Sequence, residues 1–126
     1  MKLIDIHSPQ DIKPLTIDDL KDLAKQMRAA IINYTSTIGG HVGPNLGDVE
    51  ALIGVHYVFD APKDKIVIDV SHQDFVHKML TGRAQYYLDK GKFTEIGEFT
   101  TRMKARIRYF LRRPHFSLDQ PGFRPR

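Results

Sequence analysis

From Thr35 to Gly47 the chain reads Thr-Ser-Thr-Ile-Gly-Gly-His-Val-Gly-Pro-Asn-Leu-Gly. Four glycines and a proline in so short a stretch predict a loop rather than a regular element. The loop divides the chain. Before it, Leu20, Leu23, Ala24, Met27, Ile31 and Tyr34 recur at steps of three and four, which makes one helical face apolar. Thr16 is a good N-cap for that helix, and Asp19 places a carboxylate near its N-terminus, so the helix is predicted over about residues 17–34. Residues 1–15, with Pro9 and Pro14 as breakers, read as an extended lead-in. After the loop, Asp48 is predicted to cap a second helix at 49–58.

Beyond a turn at Asp60–Lys65, Ile66-Val-Ile-Asp-Val70 is short, apolar and β-branched, and is the best strand candidate in the chain. It lacks clean alternation, which suits a strand buried on both faces of a parallel sheet. Ser71-His72-Gln73 follows as a loop. A helix is predicted at 74–80, ended by Gly82 as its C′ residue, and a short one from Arg83 to Lys90. Helix, Gly-rich loop, helix, strand, loop and helix in that order predict an α/β fold, helix-rich, with functional loops beyond the strand's carboxyl end.

The 126 residues suffice for one small domain, and 41% hydrophobic with 27% charged residues is a globular composition. No cysteine is present, which removes disulfides and thiolate metal sites. No apolar run approaches the ~20 residues of a membrane span, and the first residues do not read as a signal peptide. A cytoplasmic protein is the resulting expectation. The charge is uneven. Residues 101–126 hold eight basic residues and one acid, Asp119, for +7, which leaves 11 basic and 14 acidic residues in 1–100, for −3.

Two histidines are candidates for chemistry. His41 lies among Gly39, Gly40 and Gly43, where open backbone lets an imidazole reach a ligand; it can equally be a loop histidine bonded to nearby backbone. His72 directly follows the candidate strand, where it can donate to a phosphate or move a proton, or simply cap the next helix. His72 and His77 are five apart, not four, and no HExxH is present, so no metal site is predicted. His56 reads as packed, and Asp69 receives no role. The stretch from Arg102 to Arg113 interleaves basic residues with Met103, Ile107, Tyr109 and Phe110. That pattern fits a module binding single-stranded nucleic acid through residues 102–126, but the favoured reading is a solvated tail.

Three segments together carry a resemblance. Ile38–Gly47 resembles the motif TGGHLGASLG, His56–Lys65 resembles LHYVFNTPKDK, and Asp69–Gln73 with His77–Arg83 resembles DVGHQAYPHKILTGR. These motifs, in this order and spacing, belong to the 1-deoxy-D-xylulose-5-phosphate synthase family of the transketolase superfamily, and the resemblance covers roughly residues 16–100. Pro44-Asn45 stands where the pattern has Ala-Ser, Ser71 where it has Gly, and Asp74-Phe75-Val76 where it has Ala-Tyr-Pro. The resemblance implies the start of a thiamine-diphosphate-binding parallel-sheet domain, in a cytoplasmic homodimeric transferase of isoprenoid and thiamine precursor synthesis. That enzyme condenses pyruvate with glyceraldehyde 3-phosphate and releases carbon dioxide. It further implies His41 as a catalytic residue and His72 as a cofactor-binding one.

The family's cofactors are thiamine diphosphate and Mg2+. Its magnesium motif, GDG followed by an asparagine, and its activating glutamate are absent from this chain, so the chain alone is expected to be inactive and of marginal stability; the alternative is one half of a split enzyme. The family continues with a pattern like NPNESEYDIFxVGHTSTSISLASGLAKARD. Codons for Pro114–Arg126, read one nucleotide later, can encode His-Thr-Ser-Val-Ser-Ile-Ser-Leu-Ala-Ser-Gly-Leu-Ala, and Met103–Arg106, read one nucleotide earlier, can encode Asn-Glu-Ser-Glu. The expected organisation is therefore residues 1–100 as the N-terminal part of the cofactor-binding domain and 101–126 as an out-of-frame, disordered tail.

Overall fold

The computed structural model describes residues 1–68 and 73–96. The end of the strand candidate, Ser71, His72 and the basic tail lie outside the described residues. Five α-helices are described: α1 at Ile17–Ile38, α2 at Val42–Gly47, α3 at Val49–Val58, α4 at Phe75–Lys78 and α5 at Gln85–Leu88.

Helix α1 is the spine. Its start is a capping box: the Thr16 Oγ accepts from the Asp19 amide at 3.2 Å, and the Asp19 carboxylate accepts from the Thr16 amide at 3.1 Å. It runs four residues beyond the predicted end. The hydroxyls of Thr35 and Thr37 donate to the carbonyls of Ile31 and Asn33, at 2.7 and 3.1 Å, so they join the helix instead of breaking it. It stops where Gly39 turns to φ +88°. Of the positions its periodicity predicts, Leu23, Ala24, Met27, Ile31 and Tyr34 are buried and Leu20 is half-buried, and Ala30 joins the buried face. The Tyr34 ring centroid lies 5.5, 4.9 and 5.3 Å from those of Phe75, Tyr87 and Phe93, which draws the C-terminal elements onto α1.

Three expectations are corrected. The α/β parallel-sheet fold is not formed: the described residues are helical, with no strand among them, and residues 66–68 have no regular structure. The physical reason is that strand hydrogen bonds are made between strands. A single β-branched run has no partner to pair with, and a parallel pair needs a second strand after a crossover. The lead-in is not extended. It folds into two 3₁₀ turns, Leu3–Asp5 and Pro9–Ile12, and Leu3, Ile6 and Ile12 are buried in the core against the helices. The Gly-rich stretch is not all loop either. Its second half winds into α2, because Pro44 sits in the first turn, where a missing N–H costs nothing.

Helix α3 starts and ends at the predicted residues, and Asp48 is its N-cap residue, although the Asp48 side chain makes no capping bond. At the other end the Lys13 Nζ donates to the carbonyls of Tyr57 and Phe59, both at 2.8 Å, and ties the lead-in to the last turn. Arg28 of α1 pairs with Glu50 of α3.

After α4 the chain continues through Met79–Arg83 as a wide turn that breaks at Gly82, φ +84°, in line with its predicted role as a helix stop. A Cβ at Gly82 would stand 2.7 Å from the carbonyl oxygen of His7. Gly82→Ala is therefore expected to lose at least the ~1–2 kcal/mol of a left-handed non-glycine residue, and more from the clash with backbone. Gly54→Ala, in α3 with nothing within 4 Å of the added carbon, is expected to stabilise the chain. Urea unfolding of the two variants beside the parent checks both signs.

Candidate functional site

Gly39 and Gly40, at φ +88° and +123°, swing the chain out of α1 and deliver His41 as the exposed N-cap residue of α2. The glycines around it leave room: carbons added at Gly39, Gly43 and Gly47 would meet nothing within 4 Å. The imidazole thus stands at an open surface, where it can hold or pass a proton or donate to an anionic group.

Beneath this loop lies buried polar chemistry. Asn45 is fully buried; its Nδ2 donates to the His41 carbonyl at 2.6 Å, and its Oδ1 accepts from the Phe75 amide at 3.3 Å. Next to it, Lys78 and Asp74 form an ion pair at 3.0 Å with side-chain exposures of 2% and 0%. Burial pushes the Asp74 carboxyl up to about 6, against the pull of Lys78 and Arg83. Burial likewise pushes Asp48 up to about 6, with the Asp74 charge adding to the effect. Arg83 donates to the Thr81 hydroxyl at 2.6 Å, and that hydroxyl donates to the His77 carbonyl at 2.7 Å.

A second buried pair joins α3 to α4. The His56 Nε2 and His77 Nδ1 are 2.9 Å apart, and the His56 Nδ1 is 2.7 Å from the Leu52 carbonyl. A carbonyl only accepts, so His56 carries its proton on Nδ1. Its Nε2 then accepts from His77 Nδ1–H, which leaves His77 Nε2 unprotonated. Burial, with the charges of His56, Arg83 and Lys78 behind it, drives the His77 pKa down to about 3, and burial lowers His56 as well. Both imidazoles are held neutral.

The sequence reading and the geometry meet only in places. His41 lies on an open loop. His56 is packed, as expected. His72 is outside the described residues, but the backbone three residues beyond it is bound to the His41 loop through Asn45. Asn45 was missed, and nothing in its local pattern marks it. The Asp74–Lys78 pair was also missed, although its four-residue spacing is legible as an i,i+4 acid–base pair. The His56–His77 contact spans 21 residues and has no local trace. Among the described residues no three His, Asp or Glu side chains converge in a way that could hold a metal ion. No helix among them is long and apolar enough to cross a membrane.

Known proteins resemble this chain closely. A family model described as 1-deoxy-D-xylulose-5-phosphate synthase matches residues 3–113. A protein of that name from Acidobacterium capsulatum is 54% identical over 82 residues, 65% of this chain and 13% of the relative. One from Dictyoglomus turgidum is 53% identical over 85 residues, 68% of this chain and 14% of the relative. One from Dictyoglomus thermophilum is 43% identical over 110 residues, 87% of this chain and 18% of the relative. The chain therefore spans less than a fifth of the length of these relatives.

Proposed function

Given that this chain belongs to the 1-deoxy-D-xylulose-5-phosphate synthase family, we propose that it is the N-terminal part of an enzyme that condenses pyruvate with glyceraldehyde 3-phosphate and loses carbon dioxide. The observation that carries this reading is the ordered match across residues 3–113, with the motifs around His41, His56 and His77 at family spacing. The location this implies is the cytoplasm, and the implied assembly is a homodimer of full-length chains.

Thiamine diphosphate supplies the family's chemistry: it stabilises the negative charge left on the carbonyl carbon when carbon dioxide departs. The exposed His41 and the open glycines around it fit an anionic cofactor or substrate. His41 would move a proton at the substrate carbonyl, and His72 would donate to the diphosphate. Magnesium finds no carboxylate cluster among the described residues.

We further propose that the frame is displaced in residues 101–126. The shifted reading extends upstream of Pro114 without a break. With Met103–Arg106 read one nucleotide earlier, a second displacement follows: codons for Ile107–Arg126, read one nucleotide later, can encode Tyr-Asp-Ile-Phe-Phe-Val-Gly-His-Thr-Ser-Val-Ser-Ile-Ser-Leu-Ala-Ser-Gly-Leu-Ala. That departs from the family pattern only where valine stands for threonine. On this reading the basic charge of the tail is a by-product of translation, not a nucleic-acid surface.

The test is to sequence the gene across codons 95–126 and beyond, then express the product of the restored frame. That product is expected to release carbon dioxide and form 1-deoxy-D-xylulose 5-phosphate, while the 126-residue chain does not. His41→Ala in the restored product should lower turnover by about 10²–10⁴. The family match itself runs into the basic segment, to residue 113. An intact frame with no synthase sequence downstream therefore removes the displacement, and the tail's salt-dependent binding to RNA becomes the measurement to make.

A further inference from the structure

We infer that Asn45 is a positioning residue, holding the loop that carries His41 against the backbone that follows His72. The inference rests on the reading of His41 as catalytic. Its physical basis is independent of that reading.

Helix α2 has only six residues, too few to hold its own conformation or place by propensity. Its outward positions Val42, Gly43 and Pro44 are exposed, and Asn45 is the one residue of α2 that is buried. Leu46 packs half-buried against the core, and Asn45 supplies the polar anchor of the helix, with both ends of one amide. The Nδ2 must be the end that faces the His41 carbonyl, and the Oδ1 the end that faces the Phe75 amide, since a carbonyl cannot donate and an N–H cannot accept. The Phe75 N–H is one of the donors that a helix start leaves without an intrahelical partner. The same side chain thus completes α4 and clamps His41 to it, across 30 residues of sequence.

A serine hydroxyl in place of Asn45 can reach back to the carbonyl four residues earlier, His41, as Thr35 reaches Ile31 and Thr81 reaches His77. Its stem is too short to meet the Phe75 amide as well. The asparagine gives this chain a link from the His41 loop to α4 that serine lacks.

The test is residue-resolved hydrogen exchange and carbonyl 13C shifts on the 126-residue chain, with Asn45→Ser and Asn45→Ala. The Phe75 amide is expected to exchange at least tenfold faster in both variants. The His41 carbonyl shift is expected to move in Asn45→Ala and to be restored in Asn45→Ser. Amides in the middle of α1 should stay as in the parent. A uniform rise in exchange that follows the loss of thermal stability, or an unchanged Phe75 amide, overturns the positioning role.

Thiamine diphosphate titrated into the same proteins separates this inference from the reading beneath it. If the parent binds, Asn45→Ala should bind at least tenfold more weakly, and equal affinity overturns the inference. If no protein binds, the exchange pattern alone decides the clamp, and the reading of His41 is judged separately by the turnover of His41→Ala in the restored product.

Discussion

Asp74→Ala is expected to destabilise the chain by about 3–5 kcal/mol, because it removes the carboxylate paired with the buried Lys78 ammonium. The pair is 3.0 Å long and essentially sealed from water. Arg83 is buried too and feels the Asp74 charge, so the substitution also removes a carboxylate whose field offsets two buried cations. The double substitution Asp74→Leu with Lys78→Met should recover most of the loss, since an apolar pair of similar volume carries no desolvation cost. The exposed pair Lys21–Asp18, at 4.0 Å, is the contrast: Asp18→Ala should leave stability unchanged within error. Urea denaturation of the four proteins at pH 7 reads all of this. If Asp74→Ala shifts the midpoint no more than Asp18→Ala does, the buried pair is not formed in solution.

Acid should expose the second buried pair. The His77 pKa is held down at about 3 in the folded chain, whereas its ordinary value is 6.5. Above pH 6.5 neither state binds the proton, and the contribution of His77 is fully present. As pH falls from 6.5 towards 3, the unfolded chain takes up a proton that the folded chain refuses. Stability then drops by about 1.4 kcal/mol per pH unit, and roughly 4–5 kcal/mol is lost across the window. Asp48 and Asp74 act in the opposite sense. Their carboxyls, raised to about 6, take protons more readily in the folded chain, so between pH 6 and 4 they gain stability as pH falls.

The total curve is the sum of these terms, and a single substitution isolates the histidine. His77→Asn keeps a donor near the Nδ1 position for His56 but does not titrate. The difference in unfolding free energy between parent and His77→Asn should narrow steadily from pH 6.5 to 3. A difference that stays constant over that range would show that His77 charges in the folded chain and that the tautomer assignment is wrong.

The helices were largely legible because their causes are local. The apolar spacing of α1, the Thr16–Asp19 cap and the stop at Gly82 each depend on residues within a turn of one another. The bounds of α3 could be read for the same reason. The parallel sheet failed because the pattern at residues 66–70 describes only what one strand needs of its own side chains. Whether it becomes a strand depends on a partner, and the described residues offer none. The family itself was readable from three motifs, whose order and spacing survive without any knowledge of the fold.

The site divides in the same way. His41 could be singled out from the glycines around it, since an open backbone is a property of the segment. Asn45 and the contact between His56 and His77 could not, although His56 by itself reads as packed. The partners of Asn45 lie 4 and 30 residues away, and the two histidines are 21 apart. Their protonation and their burial exist only once α1, α3 and α4 have closed around them. By itself the sequence determined the family, helices α1 and α3 and the candidate loop, because each is set by neighbours along the chain. Only the tertiary structure decided which polar groups are buried, what satisfies them and which titrate out of range, because desolvation and long-range hydrogen bonds arise from packing.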